Sequence, residues 1–242
     1  NGIKKKIFVL MTFKNSNNLT KKFIKKNYFL NTTALKLAFE KNNNDVYNYL
    51  IKLPGIEIGC NCFSNCDKLI EFDVPSSITF IGDYSFLSCK FLTKITIPSS
   101  VTSLGNHCFS LCGSLKYVKL PSSLLFINEY AFDNCIKLED IDIPTSVTTI
   151  GQYAFNKCTS LSKIIVPSSV TSIGDNFICE CNNLSSIIIS SQVKNIGILK
   201  FQEFHLLKEF IFPPSVTRIY EKQFKNCDSL IKIEIPTTVK FI

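Results

Sequence analysis

Cysteine is the residue type in this chain whose number and spacing could most readily do chemistry. The chain has 11 cysteines, an odd number that excludes complete internal pairing as disulfides. The groups Cys60-x-Cys62-x-x-x-Cys66 and Cys179-x-Cys181 have some features of zinc sites. They lack both a nearby histidine and two separated C-x-x-C pairs, and a tetrahedral zinc site needs four convergent ligands. We therefore expect no metal ion and no cofactor.

Most of the cysteines recur at an interval of 23 residues. This series contains Cys66, Cys89, Cys112, Cys135, Cys158 and Cys181, is interrupted by Phe204, and continues at Cys227. We expect a buried column of reduced thiols that pack as small apolar groups. Side chains that project in parallel fit the disulfide torsion poorly. Cys60 and Cys179 lie outside the series, and we expect them to be the exposed thiols.

The histidines and acidic residues do not form a recognisable catalytic pattern. The two histidines, His107 and His205, occupy different positions of the repeat, so neither is expected to complete a Ser-His-Asp or Cys-His site. Asp140 and Asp142 could in principle bind a cation or act as an acid-base pair. Their spacing makes them strand neighbours on one solvent face, which favours a solvated or partner-facing pair. The sequence therefore predicts a protein that is not an enzyme.

The same interval organises most of the chain. Proline follows it at Pro75, Pro98, Pro121, Pro144 and Pro167, is replaced by Ser190, and returns at Pro213 and Pro236. Phenylalanine follows it at Phe63, Phe86, Phe109, Phe132 and Phe155, is replaced by Ile178, and returns at Phe201 and Phe224. A fixed period of this length is typical of a solenoid, in which each unit buries its apolar side chains only against its neighbours.

One unit illustrates the expected structure. In the stretch from Leu92 to Ile97, alternation by two predicts a strand with Leu92, Ile95 and Ile97 inward and with Lys94 and Thr96 outward. Parallel strands from successive units would then form a ladder.

The rest of the same unit contains a turn and a second extended piece. Pro98 ends the strand, Val101 and Leu104 face inward, and Gly105 permits a bend that a β-carbon would obstruct. An arc from Phe109 to Cys112 closes the coil.

These motifs resemble the BspA-like class of leucine-rich repeats, whose units read approximately L-x-x-I-x-I-P-x-S-V-T-x-I-G-x-x-A-F-x-x-C. The stretch from Leu138 to Pro144 followed by SVTTIGQYAFNKC, residues 146–158, fits almost letter for letter. The resemblance covers residues 56–242, about eight units with the last one incomplete. It implies a repeat solenoid and a role as a surface antigen or as an adhesion or protein-binding module.

The resemblance weakens in two units. These units contain Phe177, Ile178, Leu199 and Phe204, which alter the Ala-Phe pair and the cysteine series. We expect irregular stacking there.

Residues 1–55 follow a different pattern. The stretches 33–38, 44–51 and 53–58 resemble one ankyrin repeat running into its exit loop, with Leu35, Leu37 and Ala38 in a first helix and Val46, Leu50 and Ile51 in a second. The alternative is a generic helical cap on the solenoid. Residues 1–53 hold eleven lysines against two acidic residues, a net charge of +9, and could dock on an anionic membrane or a nucleic acid.

The outward strand positions of the solenoid form the predicted binding face. Its candidate residues are Tyr117, Lys119, Asp140, Asp142, Lys163, Ile165, Ile188 and Ile211. Outward isoleucines in register would form an apolar patch of the kind that marks an interface, although isoleucine could also serve strand propensity alone. The expected partner is another protein or a surface glycan.

Composition and charge narrow the functional class further. Outside residues 1–53 the chain is nearly neutral, so the repeat region lacks the basic face of a nucleic-acid-binding protein. No stretch has the apolar length of a membrane-spanning helix. The last unit stops before its closing arc, and we expect the chain to be a fragment of a longer protein. The resemblance implies a cell-surface or extracellular location, while an intracellular adaptor with ankyrin and leucine-rich repeats is the alternative.

Overall fold

The computed structural model describes residues 31–42, 44–53 and 56–242 of the chain. Within these ranges two short helices precede a succession of coils whose strands form two parallel ladders. The predicted repeat solenoid with a parallel strand ladder is confirmed. Residues 1–30, which carry most of the lysine excess, lie outside the described residues.

The helices α1 (Asn31–Glu40) and α2 (Asn44–Leu50) pack against each other and against the first coil. The Phe39 ring lies 5.6 Å from the Phe63 ring and 6.1 Å from the Phe72 ring, in edge-to-face contacts. The Lys36 ammonium group donates a hydrogen bond to the Ser64 carbonyl oxygen at 2.9 Å. The helices therefore cover apolar side chains that the first coil would otherwise expose.

The first ladder follows the Leu-x-x-Ile-x-Ile motif. Its strands are β1 (Glu71–Asp73), β2 (Lys94–Thr96), β4 (Tyr117–Lys119), β7 (Lys163–Val166), β9 (Ser186–Ile189), β11 (Glu209–Ile211) and β12 (Lys232–Glu234). Hydrogen-bonded pairs join β1 to β2, β2 to β4, β7 to β9 and β11 to β12, each in a register of one repeat. The predicted inward residues Leu92, Ile95 and Ile97 are buried, as expected from alternation.

The second ladder follows the Val-Thr-x-Ile-Gly motif. Its strands are β3 (Ser103–Leu104), β5 (Phe126–Ile127), β6 (Thr149–Ile150), β8 (Ser172–Ile173) and β10 (Asn195–Ile196). Adjacent members pair in the order β3-β5-β6-β8-β10, also in steps of one repeat. Val101 and Leu104 are buried, as predicted.

An arc without regular strand joins the second ladder back to the first. His107 and Leu111 have left-handed backbone angles, with φ values of 53° and 62°, and the same two positions recur in most of the other described coils. The N–H groups of His107, Phe109 and Leu111 donate to carbonyl oxygens of the next coil at 2.8 to 2.9 Å. A left-handed non-glycine residue costs about 1–2 kcal/mol. The bonds to the next coil offset that cost, because without them these N–H groups would lose their partners.

Two columns of side chains fill the interior. The rings from Phe63 to Phe155 stack with centroids 5.2 to 5.5 Å apart and planes within 17° of parallel. Beside them, the thiols of the cysteine series from Cys89 onward donate hydrogen bonds to the carbonyl oxygen of the phenylalanine in the preceding coil. The Cys135 thiol, for example, lies 3.2 Å from the Phe109 oxygen. A cysteine at this position is therefore both a small apolar group and a donor to a buried carbonyl.

Both ladders lapse together at one joint, which we define as residues 197–208, between β10 and β11. Within the described residues no backbone hydrogen bond links β9 to β11 or β10 to the coil that follows it. The arcs remain joined there, since the N–H of Phe201 donates to the Gln223 oxygen at 2.7 Å and that of Glu203 to the Lys225 oxygen at 2.9 Å. The irregularity expected near Leu199 and Phe204 is thus an opening on the two ladder sides.

The role of Gly105 differs from the expected one. Its backbone φ is not in the left-handed region, and a β-carbon there would lie 2.3 Å from the Gly82 carbonyl carbon and 2.4 Å from the Asp83 nitrogen. Glycine is required because the coils approach closely, not because the chain bends. At Gly113, in contrast, the nearest atom to a β-carbon would be an Ile136 side-chain carbon at 3.8 Å.

This difference predicts unequal effects of the same substitution. Gly105→Ala should lower the free energy of unfolding by about 3 kcal/mol, because the backbones of two coils must separate. Gly113→Ala should change it by less than about 1 kcal/mol. Urea unfolding of both variants, followed by circular dichroism, measures the two values. Equal effects would show that close approach does not explain the glycine at 105.

Candidate binding surface

The eight candidate residues all lie on the outer side of the first ladder. Tyr117 and Lys119 belong to β4, Lys163 and Ile165 to β7, Ile188 to β9 and Ile211 to β11, and every one of these side chains is exposed. Alternation explains the arrangement, since the intervening residues of each strand enter the core. The outer surface of the first ladder is called the strand face below.

Three isoleucines form an apolar line across this face, which we call the isoleucine strip. Ile165, Ile188 and Ile211 are 44%, 49% and 53% exposed. Ile165 and Ile188 are direct partners in the β7–β9 register. Ile188 and Ile211 lie on opposite sides of the joint and line one groove of about 530 Å³, which also contacts Ile231.

Asp140 and Asp142 are exposed on the strand face, but their segment is not a strand. The expectation that they are strand neighbours is therefore wrong in one respect. The Asp140 carboxylate accepts a hydrogen bond from the next N–H, that of Ile141, at 2.9 Å, and such a local bond competes with the strand ladder. The ladder is consequently interrupted between β4 and β7.

Grooves lie on both sides of this interrupted coil. The groove toward β4 has a volume of about 590 Å³ and is lined by Lys94, Tyr117 and Lys119 as well as by Asp140 and Asp142. The groove toward β7 has a volume of about 350 Å³ and is lined by Asp140, Asp142, Lys163 and Ile165. In the part of the chain that the structure describes, no basic side chain comes within ion-pairing distance of either carboxylate.

The two histidines lie in different coils and have different neighbours. The His107 ring is stacked between Tyr84, at 4.9 Å, and Tyr130, at 4.5 Å. His205 contacts Asp228 through its Nδ1 at 2.9 Å, on an exposed part of a different coil. Neither ring contacts a nucleophile in these interactions.

The stack around His107 continues to Tyr153 and forms an outer aromatic column that sequence reasoning missed. Its members, Tyr84, His107, Tyr130 and Tyr153, are separated by one repeat each, so the same periodicity would have revealed it. Because the rings cover each other's faces, the column presents mainly ring edges to solvent. It stabilises the arcs rather than forming a platform.

None of the cysteines forms a disulfide in the described residues, which include every cysteine of the chain. Cys60 is exposed, as predicted. Cys179 is buried, with 8% exposure, so its prediction as an exposed thiol is wrong. Cys179 is buried without belonging to the hydrophobic core, at the repeat position that Ser110 and Asn156 hold in earlier coils. Burial raises the pKa of the Cys179 thiol.

The described ranges offer neither a metal-binding cluster nor a membrane-spanning helix. Nowhere in residues 31–42, 44–53 and 56–242 do three or more His, Cys, Asp or Glu side chains converge as a metal ion would require. Neither of the two described helices is long and apolar enough to cross a membrane.

Comparison with protein families gives one match that extends over most of the chain. The family described as BspA type leucine rich repeat region matches in six copies, over residues 42–155 and 125–242. The match begins within the segment that resembles an ankyrin repeat, and the ankyrin interpretation is not supported. The two helices correspond instead to the alternative, a helical cap on the first coil.

Solved structures support the same assignment. A leucine-rich repeat protein from Bacteroides ovatus is 28% identical with a TM-score of 0.54, and the match covers 79% of this chain and 61% of that protein. The leucine-rich repeat protein of T. pallidum is 28% identical with a TM-score of 0.55, covering 72% of this chain and 73% of the other. This chain thus spans less than two thirds of the B. ovatus protein. Comparison with curated protein sequences gave no match.

Three fully buried thiols predict a loss of stability at alkaline pH. Burial raises the pKa of the Cys108, Cys135 and Cys158 thiols above the ordinary value of 9.0, so the folded protein keeps them neutral while the unfolded chain ionises them. Their full stabilisation is present below pH 9 and declines as the pH rises above it. Each such thiol should lower the free energy of unfolding by about 1.4 kcal/mol per pH unit in that range.

Urea unfolding between pH 8 and pH 10.5 measures this dependence. Cys135→Ala should reduce the slope by the contribution of one thiol. An unchanged slope in Cys135→Ala would show that the Cys135 thiol does not contribute to the pH dependence of stability.

Proposed function

Because the chain belongs to the family of BspA-type leucine-rich repeat proteins, we propose that it is a non-enzymatic binding module whose strand face holds another protein. The observation that carries this proposal is the isoleucine strip. Three successive strands of the first ladder, β7, β9 and β11, expose an apolar side chain at the same outward position, beside charged side chains that can select a partner. Apolar patches with polar borders are typical of protein interfaces.

Strand propensity alone does not explain the strip. The same outward position holds Asp73 in β1, Thr96 in β2 and Lys119 in β4, and these strands form regular pairs. The ladder therefore does not require isoleucine there. Its use on three successive rungs exposes apolar area to water at a free-energy cost of about 25 cal/mol per Å², which a bound partner would remove.

A protein fits this face better than a glycan. Among the outward strand residues of the first ladder, as the structure describes it, Tyr117 is the one aromatic side chain, and it lies two rungs from Ile165. Sugar rings commonly need a broader aromatic or polar surface, whereas a line of isoleucines matches aliphatic side chains. Tyr117, Lys119, Asp140, Asp142 and Lys163 would then set specificity at the edge of the apolar contact.

The location that accompanies this function is the outside of the cell, as the family resemblance implies. Cys60 provides a direct test because it is the exposed thiol. A maleimide that cannot cross membranes should label Cys60 on intact cells that make the protein. Cys60→Ser should remove most of the labelling, since only the half-buried Cys227 is otherwise accessible among the cysteines. Labelling only after permeabilisation would contradict the surface location and favour the intracellular adaptor.

Ile188→Asp should abolish partner binding while leaving the fold intact, because the side chain is exposed and a carboxylate would have to be desolvated at the interface. Phe126→Asp is the matched control: Phe126 is 42% exposed, but it lies on the second ladder. Partners captured from cells that make the protein are compared for wild type and both variants, with thermal unfolding as a check of the fold. Retention of the same partner by Ile188→Asp would contradict the proposal that the strand face is the binding site.

A further inference from the structure

Two grooves of different character lie in series along the strand face. The first contains the Asp140 and Asp142 carboxylates and has Ile165 at its edge. The second lies between Ile188 and Ile211. The isoleucine strip therefore leads directly from an apolar groove to an acidic one, and a single elongated partner could occupy both.

The Asp140 and Asp142 carboxylates form no ion pair in the described structure, although Lys94 and Lys119 line the groove on their other side. Lys163 borders the groove toward β7, but its ammonium group is not within ion-pairing distance of Asp140 or Asp142. The ladder is interrupted at this coil, so the space beside the carboxylates admits a side chain from outside. A cationic group placed there would find two adjacent acceptors.

The spacing of the rungs indicates the conformation of the partner. Hydrogen-bonded strands of the ladder lie about 4.8 Å apart, and this spacing applies to Ile165 and Ile188 on the paired strands β7 and β9. Ile211 follows on β11, across the joint, where no backbone hydrogen bonds fix the spacing in the described structure. An α-helix presents side chains on one face about every 5.4 Å, close to the rung spacing. An extended chain presents same-face side chains about every 6.8 Å and would lose register after one step.

We propose that the partner presents an amphipathic helix that lies along the solenoid axis. Apolar side chains from three successive turns contact Ile165, Ile188 and Ile211, and a lysine or arginine one turn beyond contacts Asp140 and Asp142. This inference rests on the proposed function of the strand face and adds the chemistry and the orientation of what binds there. Recognition of an apolar helix face by a groove is a common mode of peptide binding.

Helical peptides with internal crosslinks test the proposal. The first probe carries leucines on one face of three successive turns and an arginine one turn further. The second differs only by a glutamate in place of the arginine. The third has the composition of the first, rearranged to alternate apolar and polar residues in an extended chain. Fluorescence anisotropy with the whole chain measures binding of each probe.

The arginine helix should bind about fivefold or more tightly than the glutamate helix, and the difference should shrink at high salt. The double variant Asp140→Asn/Asp142→Asn should remove this difference without abolishing binding. Glu71→Gln/Asp73→Asn is the matched control, since it neutralises an acidic pair of the same face in β1, and it should behave as wild type. Ile188→Asp should abolish binding of both helices.

Each contrary outcome separates this inference from the proposed function. Equal binding of the two helices, or tighter binding of the alternating peptide, would overturn the helix assignment while loss of binding in Ile188→Asp still supports the strand face. Failure of every probe would also overturn the helix assignment. The proposed function would then be tested separately, by whether Ile188→Asp loses the partner captured from cells.

Discussion

Hydrogen bonding between successive coils is the interaction on which the rest of this structure depends. The arcs contain no regular strand, and every second N–H group in them, such as those of His107, Phe109 and Leu111, donates to the next coil. The thiols from Cys89 onward likewise donate to a carbonyl oxygen one coil earlier. An N–H or thiol group meets its acceptor in the adjacent coil only if the two coils have the same number of residues. The constant period of the repeat follows from this requirement.

The repeat made most of the interior predictable from the sequence. Alternation correctly placed Leu92, Ile95 and Ile97 inside, and the cysteine period predicted the thiol column. Features that arise from contact between coils were harder to predict from the sequence. The close approach at Gly105 and the burial of Cys179 depend on how neighbouring backbones sit, and neither follows from residue type. The ankyrin resemblance misled because a short amphipathic helix pair has the same pattern whether it stacks on another repeat or caps a solenoid.

The candidate binding face lies where this regularity weakens. The coil with Asp140 and Asp142 is not paired as a strand, and the joint leaves β9 and β11 without backbone hydrogen bonds to each other in the described structure. The arc bonds and the buried columns preserve the fold in both places, so the first ladder can depart from regular pairing without loss of the core. Sequence could indicate which residues face outward. The sequence could not indicate that grooves open beside Asp140 and Asp142 and beside Ile188. The grooves exist because backbone hydrogen bonds between neighbouring coils are missing there in the described residues.

Photo-crosslinking from two matched serines tests most directly whether the strand face is where a partner docks. Ser186 lies on the strand face in β9, and Ser172 lies on the outer side of the second ladder in β8; both are half-buried strand residues. A photoreactive phenylalanine analogue would replace each serine in turn in cells that make the protein. The account predicts a discrete crosslinked partner from position 186 and none from position 172. Crosslinking from position 172 alone, or the same partner from both positions, would contradict it.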